Sequence, residues 1–533
     1  MGFKLPQSKA KRFIGERCQL AGGLPAVVYG LAVAAFAKNR FAWLDFPLDD
    51  AWIHRVYARA LACGQGLAYN PGRQEAGSTS SLWALLTAPA HWLERFGPDA
   101  PILAVKAIGI LLGLACVLIV QRIVARLAQS RKAGIIAAAL FALQPKFLFS
   151  AFSGMETHLL LVLLFGAGLA WMADKPWWLL ALVGLAPTAR PEALLALPLA
   201  GAGIRSIWRA NSPPTMKMAS ILLPFLPTLA WSGFCFYATG HWLPNTFYVK
   251  AQAIGPSVAG LKAGILAVVQ YGCAPGWLFA TGVGWFTVQC LRRGKRALAP
   301  LIVFVGLPIL YLAGVVSTRS ISLAGYYWTR WTDPGALLLA AAFCGGAAAL
   351  LAPGGFLPAG SSPASLWRIR ALQIALGAFF LACVVPPLGS SFAERRARLA
   401  SDSRAIALLN VHMGKWIRAH TPATALVGAN DAGAIRYFGQ RQTLDLLGLN
   451  NADLAFGKLA FEQALDRCDW LVVIPAWYPD RRFEGFERRH EAMVPREEYT
   501  VCPAPQNVQV ALERIPAAAV SRNEQPAAAN GGN

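Results

Sequence analysis

LDDAWIHRVYARALACGQGLAYNPGRQEAGSTSSLW, residues 48–83, is a polar island in a chain otherwise dominated by long apolar runs. It opens with two adjacent acids, Asp49 and Asp50, directly after the first apolar segment. Which side of a membrane that island faces decides how every later segment is read.

The 533 residues are 56% hydrophobic and only 14% charged, and the mean hydropathy is +0.44. Those values lie outside the range of soluble domains. Apolar stretches of about 20 residues recur, each long enough to cross a hydrocarbon core of roughly 30 Å at about 1.5 Å per residue. The chain therefore reads as a polytopic α-helical membrane protein. A net charge of +22 would fit a nucleic-acid partner, but the Lys and Arg residues gather in short loops between apolar runs, as topology signals do. No nucleic acid is expected. Lys4, Lys9, Lys11, Arg12 and Arg17 precede the run 21–43, and no convincing small-residue cleavage site follows, so that run is read as a retained span.

With the N-terminus inside, the basic loops fall where the positive-inside rule requires. Residues 44–100 are then outside, 101–121 leads in to Arg122, Arg126, Arg131 and Lys132, and 133–149 leads out to SGMET, 153–157. Span 158–173 returns inside, and two short apolar segments meet outside at TARPE, 188–192, before Arg205, Arg209 and Lys217. A span at 218–238 and another ending near 291 enclose WLPNTFYVKAQ and lead in to Arg292, Arg293, Lys295 and Arg296. Spans at 298–316 and 333–352 enclose STRSISLAGYYWTRW outside, and 371–388 leads out again. The expectation is about eleven spans. Counting 81–96 as another would move the basic loop at 122–132 outside, so that segment is read as an interfacial helix.

Residues 1–389 thus form a transmembrane module with a first outer loop at 44–100. Beyond Ser390 the composition turns soluble. ATALVGA (423–429) and DWLVVIP (469–475) read as buried strands and FGKLAFEQALDRC (456–468) as a helix between them. Residues 390–515 are therefore expected to be a small extracytoplasmic α/β domain, and 516–533 a disordered tail. Cys468 and Cys502 would be able to pair if this region is in an oxidising compartment. The ten cysteines show no zinc spacing, and no acidic cluster has calcium-loop spacing, so no metal or other cofactor is expected.

Polar content concentrates in the outer loops, which points to one outward-facing site. After the acid pair, Ile53, Val56, Tyr57, Ala60 and Leu61 keep a helical period, with Arg55 and Arg59 on another face. One Asp can cap this helix, a contribution of about 1 kcal/mol. Neighbours on a helix project about 100° apart, so one acid is able to cap while the other faces substrate. An outer carboxylate with basic groups from other loops suits a general base that deprotonates an acceptor hydroxyl while Arg or Lys holds the departing phosphate of a lipid-borne sugar. Candidates for the phosphate are Arg59, Arg190, Lys250 and Arg330. Each has a structural alternative as an ion pair or interface anchor. His54, Glu156, Glu192, Asn245, Tyr248 and Tyr327 are candidates for binding substrate. Glu156 and Glu192 equally suit pairing with Arg, and YYWTRW (326–331) has the aromatic content of an interfacial belt.

DDAWI followed by YARALACGQGLAYNPG and GSTSSLW resembles the first outer loop of bacterial polyprenyl-phosphate-dependent glycosyltransferases of the GT-C superfamily, especially the arabinofuranosyltransferase-like group. The resemblance continues in order through SGMET, RPE (190–192), LPNTFYVK (243–250), Arg330 before Pro334, and NDAGAIRYF with DLLGLN. It implies a GT-C fold in the bacterial cytoplasmic (inner) membrane. It also implies a polyprenyl-phosphate sugar donor, such as a pentofuranose, and a glycan or glycoprotein acceptor outside. It carries the role of base over to Asp49 or Asp50, with Asp49 ahead. Arg73, Ala76 and Ala60 depart from the pattern at positions that bear on the sugar and acceptor. A lipid or sugar transporter, and a non-catalytic assembly protein, are the competing readings. A transporter would place polar residues at the bilayer midplane and show internal repeats, neither of which is clear. The sequence leaves oligomeric state open.

Overall fold

The computed structural model describes residues 23–210, 212–250, 262, 265–266, 274–318, 330–352, 363–495 and 508–515. Tyr327 and Cys502 lie outside the described residues, so neither the proposed contact of the first nor the Cys468–Cys502 pairing is among them.

The chain is a multi-pass membrane protein. Among the described residues, four helices are long and apolar enough to cross a bilayer: Ala100–Ala128 (α3), Gly294–Val315, Arg330–Leu351 and Ile374–His420. The segment read as one span at 133–149 is two helices, α4 (Arg131–Ala142) and α5 (Pro145–Phe152), bent by 61°. Pro145 causes the break: Gln144 before it is extended, at φ −62° and ψ 118°, as the residue preceding a proline tends to be. A second pair, Pro214–Leu222 and Leu226–Thr239, bends by 50° around Pro224. Three shorter apolar helices are Leu24–Phe36 (α1), Thr157–Met172 (α6) and Pro176–Ala189 (α7).

The centre of the helical layer is α9 (Asp333–Leu351), buried along nearly all its length. Its run AAAFCGGAAA has almost no side-chain volume, so neighbouring backbones come close. Gly346 sits against the Gly282 carbonyl of α8 (Gly276–Arg292), leaving no room for a Cβ.

The last apolar helix behaves differently from the sequence expectation. Composition changes at Ser390, yet α10 (Pro363–Ile406) runs straight past it and on through a π-turn, Ala407–Val411, into His412–His420. AERRARLASDSRAIALL is rich in strong helix formers. Polarity changes what the helix faces, while propensity lets it continue.

Residues 426–514 build a five-stranded sheet in the order β4-β3-β5-β7-β6. Strands β3 (Leu426–Ala429), β4 (Gln442–Asp445) and β5 (Trp470–Val473) are parallel, while β6 (Phe486–Met493) and β7 (Val508–Arg514) add antiparallel. A short helix, Phe461–Arg467, precedes β5. Parallel pairing puts the carboxyl ends of β3, β4 and β5 on one edge, and that edge meets the loop at residues 44–100.

In the loop, α2 (Asp49–Ala62) is followed by a small hairpin of β1 (Ala68–Asn70) and β2 (Arg73–Gln74). Ser80 then caps Ser81–Thr87 by accepting from the Trp83 N–H, and Ala88–Phe96 continues as a 3-10 helix with Trp92 and Phe96 exposed. The amphipathic pattern of α2 suggests one covered face, yet most of its residues are buried, including Arg55, which donates to Thr87 at 2.7 Å. The C-terminal sheet region covers the second face: Trp52 packs on Tyr437 and Phe438, and the Tyr57 hydroxyl bonds Asn450.

Candidate active site

The two acids begin α2, and neither caps it: Leu48 occupies the cap position and no side chain bonds the first turn. Both still gain from the positive end of the helix dipole. Their side chains diverge. Asp49 turns to the C-terminal region, where its carboxylate accepts from the backbone N–H of Gly433 at 2.6 Å and of Ala434 at 2.8 Å, and from the Asn410 amide at 3.2 Å. Gly433 is required there. A Cβ would collide with the Asp49 carbonyl and lie 2.7 Å from its Oδ2. Burial pushes the Asp49 carboxyl up to about 6, against the pull of those N–H donors.

Asp50 turns the other way. Its Oδ2 lies 2.7 Å from the Arg330 guanidinium and 3.4 Å from the Lys250 ammonium. Burial would raise this carboxyl, but Arg330, then Lys250 and His54, overcome it and hold Asp50 below the usual carboxylate range. One acid is held by neutral donors, the other by cations.

Asp50 lines a cavity of about 480 Å³. Three cations, Arg190, Lys250 and Arg330, and three carboxylates, Asp50, Glu156 and Glu192, share its wall with His54. Leu194, Leu195, Leu243, Phe247, Leu310 and Val315 give it an apolar side. Gly154, at φ +73°, turns the chain before Glu156, and its carbonyl accepts from the Trp83 indole at 2.8 Å. Glu156 is thereby set between Arg190 at 2.9 Å and His54 at 3.4 Å. His54 also meets the Ser78 hydroxyl at 3.3 Å, and Arg190 reaches Glu192 at 3.3 Å. The polar segments 48–83, 153–157, 188–192, 243–250 and the start of α9's span converge on this one space.

Other sequence candidates lie elsewhere. Arg59 pairs with Glu94 at 3.0 Å, donates to the Tyr437 carbonyl at 2.8 Å and stacks over the Tyr437 ring, on the face of α2 covered by the C-terminal region. Asn245 donates to Glu75 at 2.8 Å and is fully buried behind the cavity wall. Tyr248 packs against His241 and Phe456.

Sequence reasoning missed Thr246, Tyr311 and Trp331 on the wall, and Asn410 and Gly433 behind Asp49. Thr246 and Trp331 sat inside quoted motifs, so their segments carried the signal. Tyr311 lies within an apolar span with nothing to single it out; its hydroxyl donates to the Trp331 carbonyl at 2.6 Å and so braces the residue beside Arg330.

A family described as "Domain of unknown function (DUF8728)" matches residues 399–512, the end of the long helix and the sheet. No curated protein sequence matches the chain. Solved structures share its fold. ArnT from Cupriavidus metallidurans bound to undecaprenyl phosphate has a TM-score of 0.56 at 13% identity, over 93% of this chain and 99% of that one. The archaeal oligosaccharyltransferase AglB from Archaeoglobus fulgidus, in complex with an inhibitory peptide and a dolichol-phosphate, has a TM-score of 0.54 at 11% identity, over 84% of this chain and 69% of that one. Arabinosyltransferase EmbB from Mycobacterium smegmatis is more distant, at a TM-score of 0.36, too low to bear on the sugar. The fold of this chain is that of ArnT and AglB.

Proposed function

We propose that this protein is a polyprenyl-phosphate-dependent glycosyltransferase with Asp50 as the general base. The observation that carries the proposal is the Asp50 carboxylate wedged against Arg330 and Lys250 on the wall of a half-apolar cavity. The apolar side suits the first isoprene units of a lipid carrier, and the two cations suit its phosphate.

A donor phosphate competes with Asp50 for Arg330 and Lys250. As those cations turn to the phosphate, Asp50 loses the partners that hold its proton affinity down, and it becomes a stronger base. It takes the proton of an acceptor hydroxyl as that oxygen bonds the anomeric carbon. The bond from that carbon to the phosphate oxygen breaks, and the lipid phosphate leaves with its negative charge stabilised by the cations. Arg190 is committed to Glu156 and Glu192, so its role is to hold Glu156 and His54 in the wall. The charge needed at the phosphate comes from side chains, and transfer is proposed to proceed without a divalent ion.

The order of outer-loop motifs supports a pentofuranose such as arabinofuranose as the transferred sugar. It also supports the eleven-span topology, with cavity and sheet on the outer side of a bacterial cytoplasmic membrane. The test is incubation of purified protein with polyprenyl-phosphate pentoses and hexoses and mass analysis of candidate acceptors, with and without chelator. Transfer from no donor, or uptake of a sugar lipid into proteoliposomes without covalent transfer, sinks the proposal in favour of a transporter.

A further inference from the structure

Where the C-terminal sheet meets the acid pair, several polar atoms have no hydrogen-bond partner among the described residues. They are both amide atoms of Asn430, Oδ1 of Asn410 and the Tyr478 hydroxyl. Asn430 is 2% exposed and Asn410 is fully buried. A buried polar group left unpaired costs about 1–3 kcal/mol, so a cluster of them next to a reactive carboxylate marks a place built for a ligand.

The position has a topological reason. From β3 the chain goes to β4 on one side, then returns across to β5 on the other. Ligands of open α/β sheets bind at such a reversal, beyond the carboxyl ends of the strands. Asn430 and Asp431 directly follow β3, and Tyr478 follows the turn Pro475–Trp477 after β5. Asn410 ties this edge to the acid pair, its amide donating to Asp431 at 3.0 Å and to Asp49 at 3.2 Å.

We propose that Asn430, Asp431 and Tyr478 form the acceptor subsite of the same reaction, and that it takes a neutral, hydroxyl-rich group, a sugar, rather than a phosphorylated or carboxylated one. This rests on the glycosyl-transfer reading. A primary amide offers a donor and an acceptor side by side, matching two vicinal hydroxyls. The Asp431 carboxyl bonds a third hydroxyl, and the phenol both gives and accepts. The surroundings of Asp431 exclude anions. Asp431 has no ion pair among the described residues and faces Asp49, Asp50 and Asp445, and burial together with those charges raises its carboxyl well above the ordinary value. The burial and neighbouring carboxylates that disfavour the charged form of Asp431 would equally disfavour a phosphate or carboxylate in the same place.

The experiment presents an array of immobilised neutral, carboxylated and phosphorylated oligosaccharides to the full-length protein in labelled nanodiscs, with undecaprenyl phosphate binding measured in parallel by intrinsic fluorescence. Wild type binds neutral glycans; Asn430→Ala and Asp431→Asn weaken this by about tenfold or more, and Tyr478→Phe by a few-fold. Undecaprenyl phosphate binding persists in all three. Tyr478→Phe removes one oxygen and guards against a folding defect in the buried Asn430→Ala. Absence of neutral-glycan binding by wild type, preference for anionic glycans, or unchanged binding in all variants overturns the subsite. Failure of wild type to bind undecaprenyl phosphate would instead strike at the donor reading.

Discussion

The cavity side and the sheet side of one peptide bond solve the same problem in opposite ways. On the cavity side, Asp50 is kept ionised by Arg330 and Lys250. On the sheet side, Asp49 is held by two backbone N–H groups and an amide. In the proposed mechanism the cations are drawn away by the donor phosphate, and that releases the carboxylate to react. Backbone donors cannot leave, so they fix a position. The difference separates the acid suited to chemistry from the acid suited to anchorage.

The most severe way to break this comparison is Asp50→Asn. Loss of a positioned base is expected to cost about 10² to 10⁴ in kcat, measured as transferred sugar by mass spectrometry, while undecaprenyl phosphate still binds. Equal losses in Asp49→Asn and Asp50→Asn would mean that the two sides are not distinct.

Arg330→Ala should act on the donor. Removing a charge-assisted contact to phosphate is expected to weaken undecaprenyl phosphate binding by roughly 10- to 100-fold, and Arg330→Lys should recover part of it, since a point charge lacks the fork. Binding unaffected by either change would move the phosphate elsewhere in the cavity.

Gly433→Ala probes the sheet side. Its methyl group has no space against Asp49, and overpacking of this kind costs roughly 1–3 kcal/mol. The expected result is a lower unfolding temperature and a fall in kcat smaller than that of Asp50→Asn, with undecaprenyl phosphate affinity retained.

The smallest effect is in pH. Asp49 titrates higher in the folded protein than the ordinary carboxylate value, so the folded state holds more protons than the unfolded chain in that window. Its contribution to stability is therefore fully present below pH 4 and lost as pH rises through about 6. Asp50 is shifted down and works in the opposite sense: its contribution is present above pH 4 and lost on acidification below it. Asp49→Asn should flatten the slope of unfolding free energy between pH 4 and 6 and leave the acid limb below pH 4 in place, as read from denaturant unfolding across that range.

Much of the cavity was legible because its pieces lie in the short polar segments between apolar runs, where ionisable residues stand out. Asp50, His54, Glu156, Arg190, Glu192, Lys250 and Arg330 all meet there. What the sequence withheld is which face of a helix a distant segment covers. Arg59 looked as suited to phosphate as Arg330, but the sheet region supplies Tyr437 to one side of it and Glu94 takes the other. Asp49 and Asp50 were inseparable for the same reason, since the partner that claims Asp49 lies 384 positions downstream. Strand β6, FERRHEAM, lacks an apolar alternation because it is a largely exposed edge strand, so periodicity had nothing to detect.

That separation along the chain also sets an order in time. At roughly 5–20 residues per second of synthesis, the donors at Gly433 and Ala434 emerge some 20–80 s after the acids they receive. Until then Asp49 lacks the partners that the sheet region brings to it. A nascent or truncated chain lacking the sheet therefore has the cations of the cavity wall but no anchored Asp49, and that anchor forms only once the sheet has docked.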